Sequence, residues 1–544
     1  MLPSAAMGRA DLILLGDVFT VDAARRWAKA VAIKGDRIVA VGTESEVRDH
    51  TGPGADVISG ALITPGFQDS HIHAAFGGRN MLNVDLLDLH DRDAYLERTR
   101  TFADAHPDLP WIVGGGWWAA VFAATEGPRK ELLDAVVPDR PVFLMDTDVH
   151  GAWVNSEALE IAGVSASTPD PWDGYYVRDP DGAPTGTLQE GAAYHFLRGV
   201  IPQPDVAEWQ ACLRAALAHC HALGITGWQD AWVEEPLLRG YRALDDAGEL
   251  SARVVASLWW DRHAGMEQLD SLIERRAWAS GGNLDAGTVK LMLDGCLDDC
   301  ASSMLRPFEG RFGERHGDGI RFLSTERIHE AVPALDAVGF QIHMHALGDR
   351  AVRDALDAVE VTRARAPAND LRHHIAHLHL LDDADVGRLR PLGVVANIQP
   401  LWAQAGPTID ELTAPRIGAD RVARQYRFAD LRASGAVMAF GSDWPVSSAN
   451  PWEEMEVAVT RRAPGVPDGP RLDASQRLDL ATAIAAFTRG SAYVNHDDDA
   501  GSIEVGKRAD LAVHDANPFA EPEHRIHATR VTHTVAAGRV VHGA

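Results

Sequence analysis

Two patterns of apolar and polar positions alternate along the chain, and they separate its two ends from its middle. Near the N-terminus, short apolar runs at 11–22 and 32–42 are punctuated by Gly-Asp pairs. Runs of the same kind return at 509–515 and 531–542. Gly and Asp favour tight turns, so these runs predict short strands joined by hairpins. We predict that the strands of both ends assemble into one small β-sandwich domain, whose two half-sheets bury each other's apolar faces.

The middle of the chain has a different periodicity. Apolar, strand-like runs alternate there with amphipathic stretches such as 209–219, which are rich in Ala, Leu, Arg and Asp. This alternation favours a parallel α/β core, and its length fits a (β/α)8 TIM barrel with insertions. We place the barrel at 61–496, with its main insertion at about 78–190, where glycines, prolines and tryptophans cluster. The β-sandwich then takes 1–60 plus 497–544.

Composition and charge limit the classes of function. The chain has 51 Lys plus Arg against 78 Asp plus Glu, a net charge of −27, with 46% hydrophobic residues, which is ordinary for a folded soluble protein. The acid excess disfavours nucleic acid and anionic membranes as partners, because polyanion binding needs clustered Lys and Arg. Four cysteines are too few for a disulfide scaffold, and the first apolar run is too short for a signal peptide. We therefore expect a cytoplasmic protein with a small-molecule substrate, either monomeric or a homo-oligomer.

The first candidate for chemistry is the pair His71 and His73, which follows an apolar run after Pro65 and Gly66. On a strand, residues two apart project from the same face. Two imidazoles can therefore reach one metal ion without distortion of the backbone. The alternative is a chance pairing, since the chain contains 24 histidines.

Four later apolar runs also end in a titratable residue close to a Gly or Pro turn. They carry Lys290, His345, His377 and Asp443, in this order along the chain. Barrel enzymes hold their catalytic groups at the C-terminal ends of the strands. The ordered set, following the initial His-x-His, predicts an active site at the mouth of the barrel.

Taken together, these motifs resemble the amidohydrolase superfamily of metal-dependent hydrolases. The match is best with the amidohydrolase-3 branch, which includes N-substituted formamide deformylases. The segments that carry the resemblance are 63–73, 289–295, 341–350, 374–379, 440–446 and 501–510. The resemblance implies a distorted (β/α)8 barrel with a β-sandwich formed by both termini, in agreement with the periodicity.

The resemblance also implies a set of divalent-metal ligands, and these are His71, His73, Lys290, His345, His377 and Asp443. In such enzymes the lysine is carboxylated by CO2, and the carbamate bridges two metal ions; a salt-bridged lysine is the alternative here. His343 ranks below His345 as a ligand. The choice between His377 and His379 is open, because the family's Ile-Glu-His-Ala is replaced by Ile-Ala-His-Leu-His. We expect two zinc ions per chain, with manganese or iron as alternatives.

Two residues are candidates for catalysis. Asp443 is expected to move protons as well as to bind metal, and His150, inside the insertion, is expected to reach the substrate carbonyl unless it is a structural loop residue. Two divalent ions, a carbamate, an aspartate and a hydroxide leave the site near +1, which suits stabilisation of an oxyanion.

These expectations describe a hydrolase that cleaves a linear C–N amide or formamide bond by attack of a metal-bound hydroxide, releasing an amine and a carboxylic acid. The same machinery would also serve a carbamate, ester or cyclic-amide hydrolase. A catalytically silent metal-binding or regulatory protein on this scaffold is the alternative from another class. The pocket is less predictable, because the tryptophans near the motifs, among them Trp117, Trp153, Trp402 and Trp452, fit either an aromatic lining or core packing.

Overall fold

The computed structural model describes residues 9–125, 127–365 and 369–543. Their strands form three separate sheets. In chain order the strands are β1 (Ala10–Phe19), β2 (Trp27–Lys34), β3 (Arg37–Gly42), β4 (Thr51–Pro65), β5 (Phe67–Ile72), β6 (Val84–Asp85), β7 (Ile112–Trp117), β8 (Val142–Asp146), β9 (Gly151–Val154), β10 (Gly174–Arg178), β11 (Pro184–Glu190), β12 (Ile225–Val233), β13 (Arg253–Trp259), β14 (Leu284–Met292), β15 (Gln341–Ala346), β16 (His374–His377), β17 (Val395–Ile398), β18 (Met438–Phe440), β19 (Leu511–His514), β20 (Val531–Ala536) and β21 (Arg539–His542).

The α-helices connect and cover these sheets. They are α1 (Glu44–Arg48), α2 (Ala74–Met81), α3 (Arg92–Ala105), α4 (Lys130–Asp134), α5 (Ser156–Ile161), α6 (Gly191–Gly199), α7 (Val206–Ala222), α8 (Glu235–Asp246), α9 (Leu269–Ala279), α10 (Gly310–His316), α11 (Thr325–Ala337), α12 (Asp349–Arg365), α13 (Asp383–Val386), α14 (Leu389–Leu392), α15 (Ala414–Ile417), α16 (Ala419–Val422), α17 (Phe428–Ser434), α18 (Pro451–Thr460), α19 (Leu480–Ala485) and α20 (Ser491–Val494). Short 3-10 and π turns complete the helical segments.

Strands from both ends of the chain form one domain, as predicted. They are hydrogen-bonded in a seven-stranded sheet with the order β21-β20-β19-β4-β1-β2-β3. The long strand β4 joins the two halves, because it pairs parallel with β1 and antiparallel with β19. Leu14, Val31 and Ile63 from the N-terminal half share one apolar core with Leu511 and Val535 from the C-terminal half. Burial of these faces against each other holds the two ends of the chain together.

The central sheet is the predicted parallel barrel. Its eight strands follow the order β5-β12-β13-β14-β15-β16-β17-β18, so each strand lies beside the next barrel strand in the sequence. All nine residues of β12 are buried, as expected for a parallel strand that is covered by side chains inside the barrel and by helices outside it.

The barrel closes between its first and last strands without a regular ladder. The Asp443 amide donates to the His71 carbonyl over 2.7 Å, and the His73 amide donates to the Trp444 carbonyl over 2.8 Å. Gly441 permits this close approach, because a Cβ there would lie 2.4 Å from the His71 nitrogen. The seam therefore brings the ends of β5 and β18 together.

The third sheet is built from an insertion between the first two barrel strands, β5 and β12. Its six strands have the order β10-β11-β9-β8-β7-β6. One apolar cluster lies within the insertion, and a second extends to Trp232 and Trp259 of the barrel. The turn between β8 and β9 and the end of β11 point towards the barrel mouth, where they supply His150 and Glu190. The domain boundaries given above stay a prediction.

Within the part of the chain that the structure describes, none of the helices combines the length and the apolar character that crossing a membrane requires.

Candidate metal centre

Asp443 and the two histidines of β5 meet at the C-terminal mouth of the barrel. Oδ1 of Asp443 lies 3.2 Å from Nε2 of His71 and 3.2 Å from Nε2 of His73. Among the described residues, this trio is the one group of three or more His, Cys, Asp or Glu side chains with all ligand atoms within 4.8 Å of one another. All three residues are buried.

The other predicted histidine ligands extend this group along the barrel mouth. Nδ1 of His377 lies 3.8 Å from Oδ2 of Asp443, and its ring centroid is 4.6 Å from that of His71. The His345 ring follows at 4.5 Å from the His377 ring. His379 lies further out, where its ring packs 4.7 Å from Tyr426. Of the two alternatives at this strand end, His377 is therefore the one beside Asp443.

Lys290 lies inside the barrel, paired in register with His343 of the neighbouring strand. Its side chain is 1% exposed, and no hydrogen bond or ion pair of Nζ occurs among the residues that the structure describes. Burial lowers the pKa of this amine to about 7, against the opposing influence of Asp443 and Asp230. Lys290 lines the same cavity as His73, His345, His377 and Asp443.

The backbone is strained where these side chains enter the site. His377 has φ of 81°, Leu378 of 50° and Asp443 of 58°, all in the left-handed region that non-glycine residues rarely adopt. Such conformations persist only where the surrounding structure enforces them, and they cluster at functional sites. The strained backbone at the ends of β16 and β18 therefore indicates that the directions of the His377 and Asp443 side chains are important for the site.

His343, which ranks below His345 in the sequence analysis, is in contact with His71. Nε2 of His343 lies 2.8 Å from Nδ1 of His71, and Nδ1 of His343 lies 3.0 Å from Oγ of Ser257. These two contacts leave Nε2 of His71 facing Asp443, and they orient the His71 ring in the way that partners of metal-binding histidines do. The His-Met-His spacing of β15 is a signal for His343, but Ser257 has no local signal at all.

The electrostatics of the site favour the neutral form of four of its imidazoles. Burial lowers the pKa of His71, His343, His345 and His377 well below the usual value, and the neighbouring Lys290 ammonium and other histidines reinforce this. A neutral imidazole has a free lone pair, which is the form that binds metal.

The donor atoms of this site fit a divalent metal ion. Nε2 of His71, Nε2 of His377, Nδ1 of His345 and Oδ1 of Asp443 are all buried without a hydrogen-bond partner among the described residues. Buried polar atoms normally have such partners, so a cluster of unpartnered ones requires an explanation. Imidazole nitrogens and a carboxylate that lie close together, as those of His71, His73 and Asp443 do, are a ligand set of zinc and similar ions.

A cavity opens above these donors. Several aromatic side chains line it: Trp232 and Trp259 stack with ring centroids 4.0 Å apart, and Trp402 also belongs to the lining. By contrast, Trp117 and Trp153 are fully buried within the insertion core. The tryptophans near the motifs thus divide between the pocket and the core.

His150 lies in the wall of this cavity, with its ring centroid 5.3 Å from that of His345. Its Nδ1 lies 2.9 Å from Oε1 of Glu190 and 3.2 Å from the hydroxyl of Tyr194. Glu190 is fully buried and has φ of 52°. These two partners follow His150 by 40 and 44 residues, so no local pattern indicated them.

The fold and this site define the class of the protein as a metal-dependent hydrolase built on a (β/α)8 barrel. The model of the Amidohydrolase family known as Amidohydro_3 matches residues 58–542. The chain therefore belongs to that family.

Relatives and solved structures agree with this assignment. The chain is 29% identical to the putative amidohydrolase YtcJ of Bacillus subtilis (strain 168) over 94% of this chain and 97% of the relative. It is 28% identical to the N-substituted formamide deformylase of Arthrobacter pascens, over 93% of each chain. The crystal structure of an uncharacterized metal-dependent hydrolase from Pyrococcus horikoshii OT3 superposes with a TM-score of 0.74 and 25% identity, covering 94% of this chain and 99% of the other.

Proposed function

We propose that this protein hydrolyses a linear C–N amide or formamide bond of a small molecule, releasing an amine and a carboxylic acid. The observation that carries the proposal is the convergence of Asp443 with His71 and His73 at the floor of an aromatic cavity. The name of one relative, N-substituted formamide deformylase, supports the choice of bond.

The residues that would hold the metal are His71, His73, Lys290, His345, His377 and Asp443. We propose two zinc ions, with manganese or iron as alternatives, and a CO2-derived carbamate on Lys290. Reaction with CO2 would convert the buried amine of Lys290, which has no ion pair, into an anionic carbamate with two oxygen donors. Bound divalent ions would supply Lewis acidity, which polarises a carbonyl and lowers the pKa of water.

The chain's own residues would carry the proton and orient the substrate. The Asp443 carboxylate would take a proton from the attacking water and deliver it to the nitrogen of the leaving amine. Nδ1 of His150 would accept from the Tyr194 hydroxyl and from the protonated carboxyl group of Glu190, whose pKa is raised to about 8 by burial, so Nε2–H is left to donate to the substrate carbonyl. The aromatic walls would exclude bulk water from the reacting bond.

The test is elemental analysis of the purified protein together with hydrolysis of a small panel. The panel holds N-formyl amines, N-acyl amino acids, an aryl carbamate, an ester and a lactam. Two metals per chain with amine release from the linear amides would support the proposal in full. Hydrolysis of only the carbamate, ester or lactam would contradict the choice of bond, and a fully metal-loaded protein without turnover on any of them would contradict the enzymatic function.

One metal per chain with amine release would instead remove the bridging role of Lys290. The proposed proton transfer by Asp443 would not be affected by that outcome, and the Asp443→Asn variant would test it.

A further inference from the structure

The segment that follows β16 and the turn between α16 and α17 form a polar region of the cavity that the proposed chemistry does not use. Leu380 and Gln425 pair through an antiparallel bridge, and the Tyr426 amide donates to the His379 carbonyl over 3.0 Å. The rings of Tyr426 and His379 lie 4.7 Å apart, and the Tyr426 hydroxyl is 3.5 Å from Nδ1 of His379. Gln425, Tyr426 and His379 all line the cavity, and we call these three residues the outer subsite.

The outer subsite adjoins the metal centre through its histidine. The ring centroid of His379 is 5.8 Å from that of His377, which lies beside Asp443. The residues of the outer subsite and of the metal centre line one and the same cavity. A substrate that places its scissile carbonyl at the metal centre therefore has the outer subsite within reach of a second polar group.

The amide of Gln425 is buried without hydrogen-bond partners. Gln425 is 1% exposed, yet neither Oε1 nor Nε2 of its side chain has a partner among the residues that the structure describes. Nε2 of His379 is likewise buried without a partner within the described ranges. An unpaired buried amide destabilises the folded protein, so such a group requires an explanation. A polar ligand in the cavity would supply the missing partners.

The hydrogen-bonding capacity of Gln425 selects the kind of ligand. Its side chain offers one acceptor, Oε1, and one donor group, Nε2. A carboxylate has no donor for Oε1, and an ammonium group has no acceptor for Nε2, so each would leave one of these buried atoms unpaired. A primary carboxamide has a C=O and an N–H on the same edge, and it can pair with both atoms of Gln425 at once.

We propose that the substituent on the scissile nitrogen of the substrate carries a second, uncharged amide, and that Gln425 of the outer subsite binds this amide. The inference rests on the proposed hydrolysis and specifies its substrate class. Hydrolysis adds water across the scissile C–N bond, so that the acyl carbon takes the oxygen and the leaving nitrogen takes a proton. The second amide, held away from the metal centre, is left intact.

The experiment compares three formamides of equal size with the metal-loaded enzyme. They are 4-formamidobutanamide, the methyl ketone 5-formamidopentan-2-one and the carboxylate 4-formamidobutanoate, each also prepared with one methylene group fewer and one more. At the spacing that is best for the amide, we expect its kcat/KM to exceed those of the ketone and the carboxylate by about tenfold or more. The reason is that both analogues leave Oε1 of Gln425 without a donor.

The variant that tests the assignment is Gln425→Met, which keeps the length of the side chain and loses both hydrogen-bonding groups. The ratio of kcat/KM between amide and ketone should fall to near one, mainly through KM. Gln203→Met, at an exposed glutamine outside the cavity lining, should keep the wild-type ratio. If Gln425→Met does not fold, Gln425→Asn, which withdraws the amide by one methylene group, should also lower the ratio.

Two results would overturn the inference. One is a ratio near one in the wild type at every spacing, and the other is a wild-type ratio that survives the substitution of Gln425.

A binding measurement separates this inference from the proposed function. Ligand-observed NMR titration with pentanamide and with hexan-2-one, which replaces the NH2 group by a methyl group, needs no turnover. Tighter binding of pentanamide that is lost in Gln425→Met would support the outer subsite even if no formamide were hydrolysed. Equal binding of the two compounds by a protein that does hydrolyse N-formyl amines would overturn the outer subsite and leave the proposed hydrolysis standing.

Discussion

The carboxylate of Asp443 contacts both histidines of the first barrel strand, which makes this residue the most informative single position in the chain. Each donor at the site comes from a different strand end except for His71 and His73. A change of one side chain therefore alters one donor atom without displacing the others. Variants of Asp443, Lys290 and His343 can accordingly test proton transfer, metal bridging and ligand orientation one at a time.

Asp443→Asn should separate metal binding from proton transfer. The amide oxygen of Asn can still act as a donor, but the side chain cannot accept a proton. We expect metal content near that of the wild type and a kcat lower by about 10²–10⁴-fold. Elemental analysis and steady-state kinetics check this, with the exposed Asp410→Asn as the control. Retained turnover would exclude Asp443 from proton transfer.

Lys290→Ala should reduce the bound metal, since it removes the amine that would carry the carbamate. Added acetate or propionate should restore part of the metal content and of the activity, because a small carboxylate can replace the two missing oxygens. Elemental analysis with and without these acids is the measurement. Metal content equal to that of the wild type would contradict the bridging carbamate.

His343→Phe should weaken metal binding without removing a ligand. The ring keeps most of the volume but loses the nitrogen that lies 2.8 Å from Nδ1 of His71. Loss of such a supporting partner weakens metal affinity by about 10–100-fold. Competition with a chelator measures the effect, and His343→Gln, which retains a polar group, should recover part of the affinity. Equal affinity in all three proteins would reduce His343 to a packing role.

At the scale of elements, helices α2 and α7, which lie on either side of the inserted sheet in the sequence, pack closely against each other. Helix α2 follows His73 directly, so its position bears on the metal centre. Gly78 is the point of closest approach, since a Cβ there would lie 2.0 Å from the carbonyl oxygen of Cys212. Helix α7 itself is well defined, because Asp205 and Glu208 form a capping box at its start.

Gly78→Ala should therefore destabilise the protein, by about 1–3 kcal/mol, because the added methyl group forces the two helices apart. Gly199→Ala is a matched control, since that glycine also belongs to a helix and a Cβ there would meet nothing within 4 Å. Thermal unfolding of both variants, followed by fluorescence, is the measurement. An equal melting temperature for Gly78→Ala and the wild type would contradict the packing argument.

At the scale of the whole molecule, His514 joins the terminal sheet to the barrel. It lies on β19 with no exposed surface, its Nε2 is 3.0 Å from Oγ1 of Thr64, and its ring packs 5.9 Å from Phe67 and 5.0 Å from Trp452. Burial lowers its pKa from 6.5 to about 3. Below pH 6.5 the unfolded chain therefore binds a proton at this residue that the folded protein does not bind.

This difference makes stability depend on pH in a definite direction. The contribution of a neutral His514 is fully present above pH 6.5 and is lost as the pH falls towards 3, by about 1.4 kcal/mol per pH unit, or about 2 kcal/mol at pH 5. His514→Gln removes the titrating group, so its melting temperature should fall less than that of the wild type between pH 7.5 and pH 5. The exposed His195→Gln should follow the wild type. Parallel curves for His514→Gln and the wild type would contradict the assignment.

Much of the architecture follows from local pattern. Apolar runs alternating with amphipathic helices predicted the barrel, the hairpin-like ends predicted a shared terminal domain, and the segments around His71, Lys290 and Asp443 predicted the family. These features are readable because strand and helix periodicity, and the rule that barrel enzymes act at strand ends, depend on positions close together in sequence.

The sequence by itself determined the barrel, the domain built from both ends and the family with its metal-dependent chemistry. Only the tertiary structure decided that His377 lies beside Asp443, that His343 supports His71, and that Glu190 and Tyr194 hold His150. The physical reason is that these contacts join residues far apart in sequence, and that the side chain of His377 takes its direction from a left-handed backbone. Local hydrophobic periodicity specifies which face of a strand is buried, but the packing of distant elements selects the partners that meet there.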